Sequence, residues 1–353
     1  MREVRLVRAA DLDLRADDRG TTRVWLALEA LQVTGSFHVR GALVALERCA
    51  KEGIRRVVAP SAGNHGIAVA YAACVLGLSA TIVVPGGVAR TKRERIERYG
   101  AELIVAKSDR YADVDDLARQ TSAASGSAFV PPSDGEDLAL GNGASLGIEI
   151  VRRFGRVPER VVVPLVDGGL ATGLAIGLAA EASRPVERIV WGVQPEARWA
   201  TGAWLEDGGP QDHIDTDAPT LAEELGRGLS VDSMADARAV IAGIMVAPEA
   251  HIGGAMAYAY RDMGMSLEGS AAIALAPVLF GLPPHVRCGD VVVVLTARNV
   301  DPERLEAALS GGSIAPGPAA PAQTRRSSGA PDRSRRQAAQ RASFVGPDAS
   351  GRS

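Results

Sequence analysis

The chain has 353 residues, 46% hydrophobic and 23% charged, so it is long enough to bury one large core or two smaller ones. Its net charge of -3 and pI near 6.0 give no electrostatic reason to expect nucleic acid or an anionic membrane as a partner. No apolar run approaches the roughly 20 residues of a membrane span, the N-terminus resembles no secretory signal, and the three cysteines lack metal-ligand spacing. We therefore expect a cytoplasmic protein without a metal site.

Segments with helical periodicity alternate with short β-branched runs from residue 36 onwards. Because the predicted strands are almost continuously apolar and helices separate them, the pattern is typical of an α/β fold, with parallel sheets covered on both faces. The predicted helices are Ser36 to Lys51, Gly63 to Leu76 and Thr91 to Tyr99; the predicted strands are Arg56 to Ala59, Ala80 to Val84, Glu102 to Val105, Arg160 to Val166, Arg188 to Val193 and Asp290 to Leu295.

The composition changes beyond about residue 310, to Gly, Pro, Ala, Ser and Arg with almost no large apolar side chain. Such a segment cannot bury enough surface to offset the entropy lost on ordering. We therefore predict that 311–353 is a disordered tail, and an acidic partner for its arginines stays an open alternative.

Four motifs occur in order along the chain, with weaker matches at 141–144, 193–196 and 268–272. The four motifs are Leu31-Gln32-Val33-Thr34-Gly35-Ser36-Phe37-His38-Val39-Arg40-Gly41-Ala42, Ser61-Ala62-Gly63-Asn64-His65, Pro164-Leu165-Val166-Asp167-Gly168-Gly169-Leu170 and Leu295-Thr296-Ala297-Arg298-Asn299-Val300-Asp301. One such motif would be weak evidence, but the ordered set, over roughly residues 22–305, resembles the fold-type II pyridoxal-phosphate (PLP) enzymes, of the serine/threonine dehydratase kind and similar to tryptophan synthase beta.

The resemblance implies two α/β domains, each a parallel sheet with helices on both faces. The larger domain would comprise 1–60 and 141–310, and the smaller domain, 61–140, would be inserted in it. The ligand site is expected in the cleft between them, at the carboxyl ends of the strands. A homodimer and a small amino or carboxylic acid as ligand are also implied.

Position 38 is where this family has the lysine whose amine forms a Schiff base with PLP, and here it is His38. An imidazole cannot form an imine, because its ring nitrogen has no second hydrogen to lose. We therefore expect no covalently bound PLP, while noncovalently bound PLP stays an alternative. His38 itself has two interpretations: a histidine packed where a longer side chain once lay, or a new acid–base group at near-neutral pH.

Only three lysines occur, Lys51, Lys92 and Lys107. Lys51 follows a predicted helix, Lys92 lies in a strongly charged run and Lys107 follows a predicted strand. All three are expected on the solvated surface, which leaves no amine in the cleft for PLP.

The motif from Ser61 through Ala62, Gly63 and Asn64 to His65 is predicted to be a loop that enters a helix N-terminus, where backbone N–H groups and the helix dipole favour an anion. By resemblance, this loop binds the substrate carboxylate and Asn64 faces the phenolic oxygen of the cofactor. Because the motif is intact, we predict carboxylate binding here. The alternative is that Gly63 and Asn64 only form a tight turn and cap.

The phosphate-binding motif is degenerate. Where the family has four consecutive glycines before the leucine, this chain has Val166, Asp167, Gly168 and Gly169 before Leu170. Side chains at the first two positions crowd the backbone, and the carboxylate of Asp167 would repel a phosphate dianion. Gly168 and Gly169 are alternatively no more than a helix-entry turn.

The fourth motif departs in the same direction. By resemblance, Thr296 still offers a hydroxyl to the pyridine nitrogen, whereas Ala297 and Arg298 replace glycines that leave room beside the ring. Together with His38 and the altered phosphate site, this makes three cofactor contacts at which the chain differs from the family. This favours loss of PLP over random drift.

Three functions remain open on the sequence. The first is a PLP-independent enzyme that binds a small amino or carboxylic acid and uses His38, with Asp167 or Arg298, for acid–base chemistry of the lyase type. The second is a catalytically silent pseudoenzyme kept as a partner or sensor, and the third is an ammonia-lyase-like enzyme with noncovalently held PLP. Because a lone buried charge is costly, we also predict that Asp167, Arg298 and His38 converge on one cleft beside Asn64.

Overall fold

A computed structural model describes residues 1–61, 63–132, 136–166, 168–182, 188–198, 220–226, 237–311 and 324–326. Its strands are β1 (Leu6–Arg8), β2 (Thr22–Leu28), β3 (Arg56–Pro60), β4 (Ser79–Val84), β5 (Glu102–Val105), β6 (Ala128–Phe129), β7 (Arg160–Pro164), β8 (Val190–Pro195), β9 (Ile241–Ala247), β10 (Gly289–Leu295) and β11 (Thr324–Arg326).

The helices are α1 (Asp13–Ala16), α2 (His38–Lys51), α3 (Asn64–Leu76), α4 (Arg90–Glu97), α5 (Tyr111–Ser125), α6 (Glu136–Ala139), α7 (Ser145–Phe154), α8 (Gly169–Ala182), α9 (Glu249–Arg261), α10 (Gly269–Ala272), α11 (Ala276–Phe280) and α12 (Pro302–Gly311). A π-helical turn, Leu140–Ala144, leads into α7, and a 3-10 turn, Glu223–Gly226, lies far from it in sequence.

The strands form two sheets. The larger has the order β1-β2-β10-β7-β8-β9-β11, with parallel pairing among its five inner strands and antiparallel pairing at both edges. The smaller has the order β5-β4-β3-β6 and is parallel throughout. The predicted α/β class with parallel sheets is therefore confirmed, whereas the antiparallel edge strands were not predicted.

Strand β10 explains why the apolar runs of the sequence are continuous. Val291, Val293 and Leu295 pack into one core of the larger sheet, while Val292 and Val294 pack into the core on its other face. Successive side chains of a strand point to opposite faces, so a strand covered on both sides needs an apolar residue at every position.

The smaller sheet begins earlier in the chain than the predicted domain boundary. Strand β3 starts at Arg56, and Val39, Ala42 and Leu46 of α2 share one apolar core with β3 and α3. Residues 38–60 therefore pack with the smaller sheet, although the sequence analysis assigned them to the larger domain. Of the predicted disordered tail, only Gly311, the last residue of α12, and strand β11 lie within the described residues.

No helix among the residues described above is long and apolar enough to cross a membrane.

A buried ion-pair network fixes the start of α2, the helix on which His38 lies. The side chain of Arg40 is fully buried and donates to both carboxylate oxygens of Glu29, at 2.7 and 2.9 Å, and to those of Glu149, at 3.1 and 2.7 Å. Its Nη1 also donates to Ser145 Oγ at 3.0 Å. Since a buried charge needs partners, the network joins α2 to α7 and to the end of β2.

We expect Arg40→Met to lower the free energy of unfolding by about 3–5 kcal/mol, because it leaves two carboxylates without their cation. Chemical denaturation followed by circular dichroism measures this change. The control is Arg48→Met on the same helix, where the side chain is 62% exposed and its ion pairs are worth at most about 1 kcal/mol. Equal stability of the two variants would contradict a role for Arg40 in holding α2.

Candidate functional site

A cavity of about 150 Å³ lies where β3, β7 and β10 end, between the two sheets. This is the position at which ligands bind in α/β folds, because loops from several parallel strands meet there. Of the residues predicted to form the site, those that line the cavity are His38, Ser61, Gly63, Asn64, His65, Gly168, Gly169, Leu170 and Thr296. Ala62 and Asp167 lie outside the described residues.

His38 is the first residue of α2, and backbone contacts with the end of β10 set its place. The N–H of Phe37 donates to the carbonyl of Thr296 at 3.1 Å, and Ser36 forms an antiparallel bridge with Ala297. The imidazole of His38 is half-buried and packs against the ring of Phe37, with ring centroids 4.1 Å apart. His38 is thus anchored on the cavity wall by main-chain bonds.

Close backbone packing sets the distance of α2 from the π-helical turn. The N–H of Gly41 donates to Asn142 Oδ1 at 2.7 Å. A Cβ on Gly141 would lie 2.6 Å from the Cα of Gly41, which is closer than real Cβ atoms approach. Position 141 needs glycine because its backbone touches that of α2, and position 41 needs it because a Cβ there would lie 2.7 Å from Oδ1 of the Asn142 side chain.

Gly63 precedes the first residue of α3, and the side chains of Ser61 and His65 bond to the backbone around it. Ser61 Oγ accepts from the N–H groups of Gly63, at 3.0 Å, and Gly66, at 2.8 Å. His65 Nε2 lies 3.2 Å from the carbonyl of Val130. The hydroxyl of Ser61 therefore satisfies two N–H groups at the start of α3, a role that the sequence analysis did not assign to it, and carboxylate binding by this loop stays a prediction.

Asn64 joins the smaller sheet to the larger one. Its Nδ2 donates to Glu268 Oε1 at 2.6 Å, and its Oδ1 accepts from Asn299 Nδ2 at 2.5 Å. The same Nδ2 lies 3.4 Å from each carboxylate oxygen of Glu224. The amide of Asn64 therefore contacts two glutamates at once.

The sequence analysis assigned no role to Glu224 and Glu268, which both line the cavity. Glu268 precedes α10, and Glu224 lies in the 3-10 turn, where its N–H donates to Ser270 Oγ at 3.0 Å. Burial of the carboxyl, and after it the neighbouring Glu224 carboxylate, raises the pKa of Glu268 well above its usual range, although Lys92, Arg95 and the hydrogen bond from Asn64 oppose the shift. Glu268 therefore favours its protonated form.

A signal for these glutamates was present in the sequence. Glu268 begins one of the weaker motif matches, and the segment around Glu224 departs from the family's usual Ala-Asp-Gly-Leu run. What the sequence could not give is their proximity, because 44 positions separate the two residues along the chain and only the fold brings both to Asn64.

Gly168 and Gly169 form the entry to α8 on another wall of the cavity. Gly168 has φ of +90°, a backbone conformation that residues with a Cβ rarely adopt, and its carbonyl accepts from the N–H of Thr172 at 2.8 Å. The conformation alone accounts for glycine at position 168. This agrees with the helix-entry alternative without excluding an anion at the same helix N-terminus.

Thr296 presents a hydroxyl to the cavity. The residue is only 4% exposed, and no hydrogen bond of its hydroxyl occurs with any part of the chain that the structure describes. Thr296 therefore offers one hydroxyl, as donor or acceptor, to a ligand in the cavity.

Two predictions about charged side chains were wrong. Arg298 is exposed and lines a separate groove with Arg95 and Tyr99, not the cavity. The N–H of Arg298 donates to the carbonyl of Gly35 at 2.9 Å, and the side chain lies over that turn, where its charge stays solvated. The predicted convergence on His38 therefore fails for Arg298, and for Asp167 it lies outside the described residues.

Lys92 was predicted to be a solvated surface residue, yet its side chain is only 16% exposed. Its Nζ lies 3.7 Å from Asp301 Oδ2, in a recess next to the cavity that Glu224 and Glu268 also line. The charged run around it predicted exposure, but α4 turns this one side chain towards the larger sheet. Lys51, by contrast, is exposed as predicted.

Comparisons with known proteins agree with this architecture. A family model described as "Pyridoxal-phosphate dependent enzyme" matches residues 4–297. A "Putative threonine dehydratase" of Sinorhizobium fredii (strain NBRC 101917 / NGR234) is 36% identical over 288 residues, which cover 79% of this chain and 83% of that protein. The "L-threonine ammonia-lyase" of Thermotoga maritima is 29% identical over 300 residues, with 83% and 71% covered.

Among solved structures, the processed form of threonine deaminase isoform 2 from Solanum lycopersicum superposes with a TM-score of 0.78 at 22% identity, covering 89% of this chain and 84% of that one. At this identity the likeness shows the fold alone. The family match, which spans most of the chain, and the relative at 36% identity show more: the chain belongs to the family of pyridoxal-phosphate dependent enzymes, on their fold-type II architecture.

Proposed function

We propose that this chain binds a small amino or carboxylic acid in the cavity and carries out acid–base chemistry of the lyase type on it, without covalently bound PLP. The observation that carries the proposal is that His38 and the carboxyl of Glu268, whose pKa is raised by burial, line one cavity. Relatives named as a threonine dehydratase and an L-threonine ammonia-lyase support a small amino acid as the ligand.

The side chains around the cavity do not fit PLP held through an imine. The resemblance puts His38 at the position of the imine lysine, and an imidazole cannot take that role. Glu224 adds a carboxylate whose Oε1 lies 2.7 Å from where a Cβ on Gly63 would be. Since Asn64, which Glu224 contacts, would by resemblance face the phenolic oxygen of PLP, this added negative charge opposes the ionised form of that oxygen.

His38 and Glu268 suit the two halves of an elimination. His38 would accept a proton from a carbon next to the substrate carboxylate, while Glu268 gives its proton to the departing hydroxyl or amino group. The carbon–oxygen or carbon–nitrogen bond breaks, a carbon–carbon double bond forms, and water or ammonia leaves. The N-terminus of α3, at Asn64, would attract the carboxylate through the helix dipole, with the charge of Glu224 beside it as the opposing contribution.

One observation favours a second candidate, noncovalent binding of PLP. Thr296 presents its hydroxyl to the cavity, and the resemblance would direct it to the pyridine nitrogen. The added carboxylate of Glu224 argues against this candidate, and the spectroscopic experiment below separates it from the first.

We expect His38→Ala to lower the rate of proton exchange or elimination on a turned-over acid by about 100-fold or more, because a general base contributes roughly that factor. Proton NMR of a panel of small amino and hydroxy acids in D2O measures both reactions. His251→Gln is the matched control, since His251 stacks on Phe280 outside the cavity. If the wild-type protein leaves the whole panel unchanged, the catalytic proposal fails.

The purified protein, mixed with PLP, is expected to show no new absorbance near about 410–430 nm, where a PLP imine absorbs, because His38 cannot form an imine and Lys92 is paired with Asp301 outside the cavity. Borohydride reduction followed by peptide mass mapping should find no phosphopyridoxyl group on Lys92. Such an adduct would show that Lys92 replaces the missing amine. Saturable PLP binding without an imine would instead favour the second candidate.

His38→Lys alone is not expected to restore ammonia-lyase activity on serine or threonine, because Glu224 and the altered phosphate site remain. Pyruvate and 2-oxobutyrate formation, with PLP added, measure the outcome. The double variant His38→Lys with Glu224→Gly tests whether the added carboxylate is the main obstacle. Substantial product from the single variant would mean that the other changes are tolerated.

A further inference from the structure

We propose that Asn142 is a further catalytic residue. Its amide nitrogen donates a hydrogen bond to the carboxylate of the ligand and stabilises the negative charge that collects there when His38 takes the neighbouring proton. This deepens the proposed function and rests on it, since it concerns the same cavity. The sequence analysis noted 141–144 only as a weak motif match and gave Asn142 no task.

The proposed elimination needs such a donor, because it proceeds without a PLP imine to take up an electron pair. When His38 accepts the proton, the carbon–hydrogen bond breaks and its electron pair moves into the bond to the carboxyl carbon. Both oxygens of the resulting enediolate then carry negative charge. The pair next forms the carbon–carbon double bond, and the leaving group departs with the proton of Glu268. A donor already in place at these oxygens stabilises the enediolate.

The amide of Asn142 has one fixed orientation. The N–H of Gly41 can only donate, so the atom that it reaches at 2.7 Å is the oxygen, Oδ1. A Cβ on Gly41 would lie 2.7, 2.8 and 2.8 Å from Oδ1, Cγ and Nδ2, so the face of the amide group packs against α2. The oxygen is therefore used by α2, and the two hydrogens of Nδ2 are the donors that remain.

Asn142 offers these donors to the cavity. The residue is 8% exposed and lines the cavity together with His38, and its Nδ2 makes no hydrogen bond with the parts of the chain that the structure describes. His38 and Gly41 lie on one face of α2, because positions three residues apart are neighbours on a helix. The cavity of about 150 Å³ has room for about six heavy atoms, since apolar cavities of that size hold benzene. A carboxylate beside His38 is therefore within reach of Asn142.

The support of Asn142 is rigid. It lies in the π-helical turn, a feature that is frequent at functional sites. On the side away from α2, this turn packs on the start of α8, where a Cβ on Gly143 would lie 2.5 Å from the carbonyl oxygen of Leu170. Because the turn is enclosed between two helices, the donor needs no rearrangement when charge develops on the ligand.

Asn142 and the N-terminus of α3 can serve one carboxylate together. A carboxylate has two oxygens with about four lone-pair sites, so two donors on different walls of a small cavity do not compete. The helix dipole of α3 attracts the group, while Glu224 opposes it there. The neutral amide of Asn142 adds a hydrogen bond without adding charge.

Propionate and the nitronate of nitroethane make a matched pair of probes. Each has five heavy atoms by its formula. Each nitronate oxygen carries close to a full negative charge, as in the enediolate, whereas the two oxygens of propionate share one charge. Isothermal titration calorimetry on the full chain, at an alkaline pH at which nitroethane is ionised, gives both affinities.

We expect the wild-type protein to bind the nitronate about 10-fold or more tightly than propionate, because a hydrogen bond strengthens with the charge of its acceptor. Asn142→Asp keeps an oxygen for the N–H of Gly41 but replaces the donor by an acceptor, so it should lower this ratio by about 10-fold or more. Gln120→Glu is the matched control, because it makes the same amide-to-carboxylate change at an exposed position of α5. It should leave both affinities unchanged.

A kinetic test uses any acid that the wild-type protein turns over. Asn142→Asp should lower kcat for proton exchange by about 100-fold, because removal of one donor to a developing oxyanion costs roughly that factor. Proton NMR in D2O measures the rate, and chemical denaturation of the same variant measures its free energy of unfolding. A role that is only structural would change the free energy of unfolding and leave the affinity ratio of the two probes unaltered.

The outcomes separate the two proposals. If the wild-type protein binds propionate as tightly as the nitronate, the enediolate donor is wrong whether or not the variant folds, while carboxylic acid binding stands. An affinity ratio that Asn142→Asp leaves unchanged also overturns the role of Asn142. If the nitronate preference depends on Asn142 but no acid of the panel reacts, the hydrogen bond to the ligand is upheld and the catalytic proposal fails. If neither probe binds, both proposals fail.

Discussion

The side-chain amide of Asn64 is the contact on which the geometry of the cavity depends. Asn64 is the first residue of α3, which packs on the smaller sheet. Its amide nitrogen donates to Glu268, which precedes α10, and its amide oxygen accepts from Asn299, which follows β10 of the larger sheet. An amide has one acceptor atom and one donor group, so both hydrogen bonds form only when α3 and the larger sheet are held at a fixed separation. The side chain of Asn64 therefore couples the positions of the two sheets.

The fold was largely predictable from the sequence because its signals are local. Strand β5 matches its predicted bounds, and Gly77 ends α3 in a left-handed conformation, as its place after the apolar run indicated. The antiparallel edges were harder, since β1 is only three residues long and β11 lies in a segment with almost no large apolar side chain. Edge strands need fewer apolar residues, so their pattern is weak.

The site was predictable only in part. The motifs correctly located the cavity walls, because the carboxyl ends of parallel strands meet at one edge of a sheet. They did not give side-chain direction, and so Arg298, which lies two residues after Thr296, was wrongly placed in the cavity while Lys92 was wrongly placed in solvent. Direction depends on which neighbour each side chain finds, and those neighbours are distant in sequence.

The contact between Gly41 and Gly141 has a consequence for how such a site can evolve. Because the backbone of Gly141 lies against Gly41, α2 cannot approach the π-helical turn more closely, and a side chain at position 141 would push it away. The backbone of residue 38, the first residue of α2, is therefore held at a fixed distance from the cavity, whatever its side chain. A scaffold of this kind permits the side chain at position 38 to vary while the position of its backbone stays unchanged.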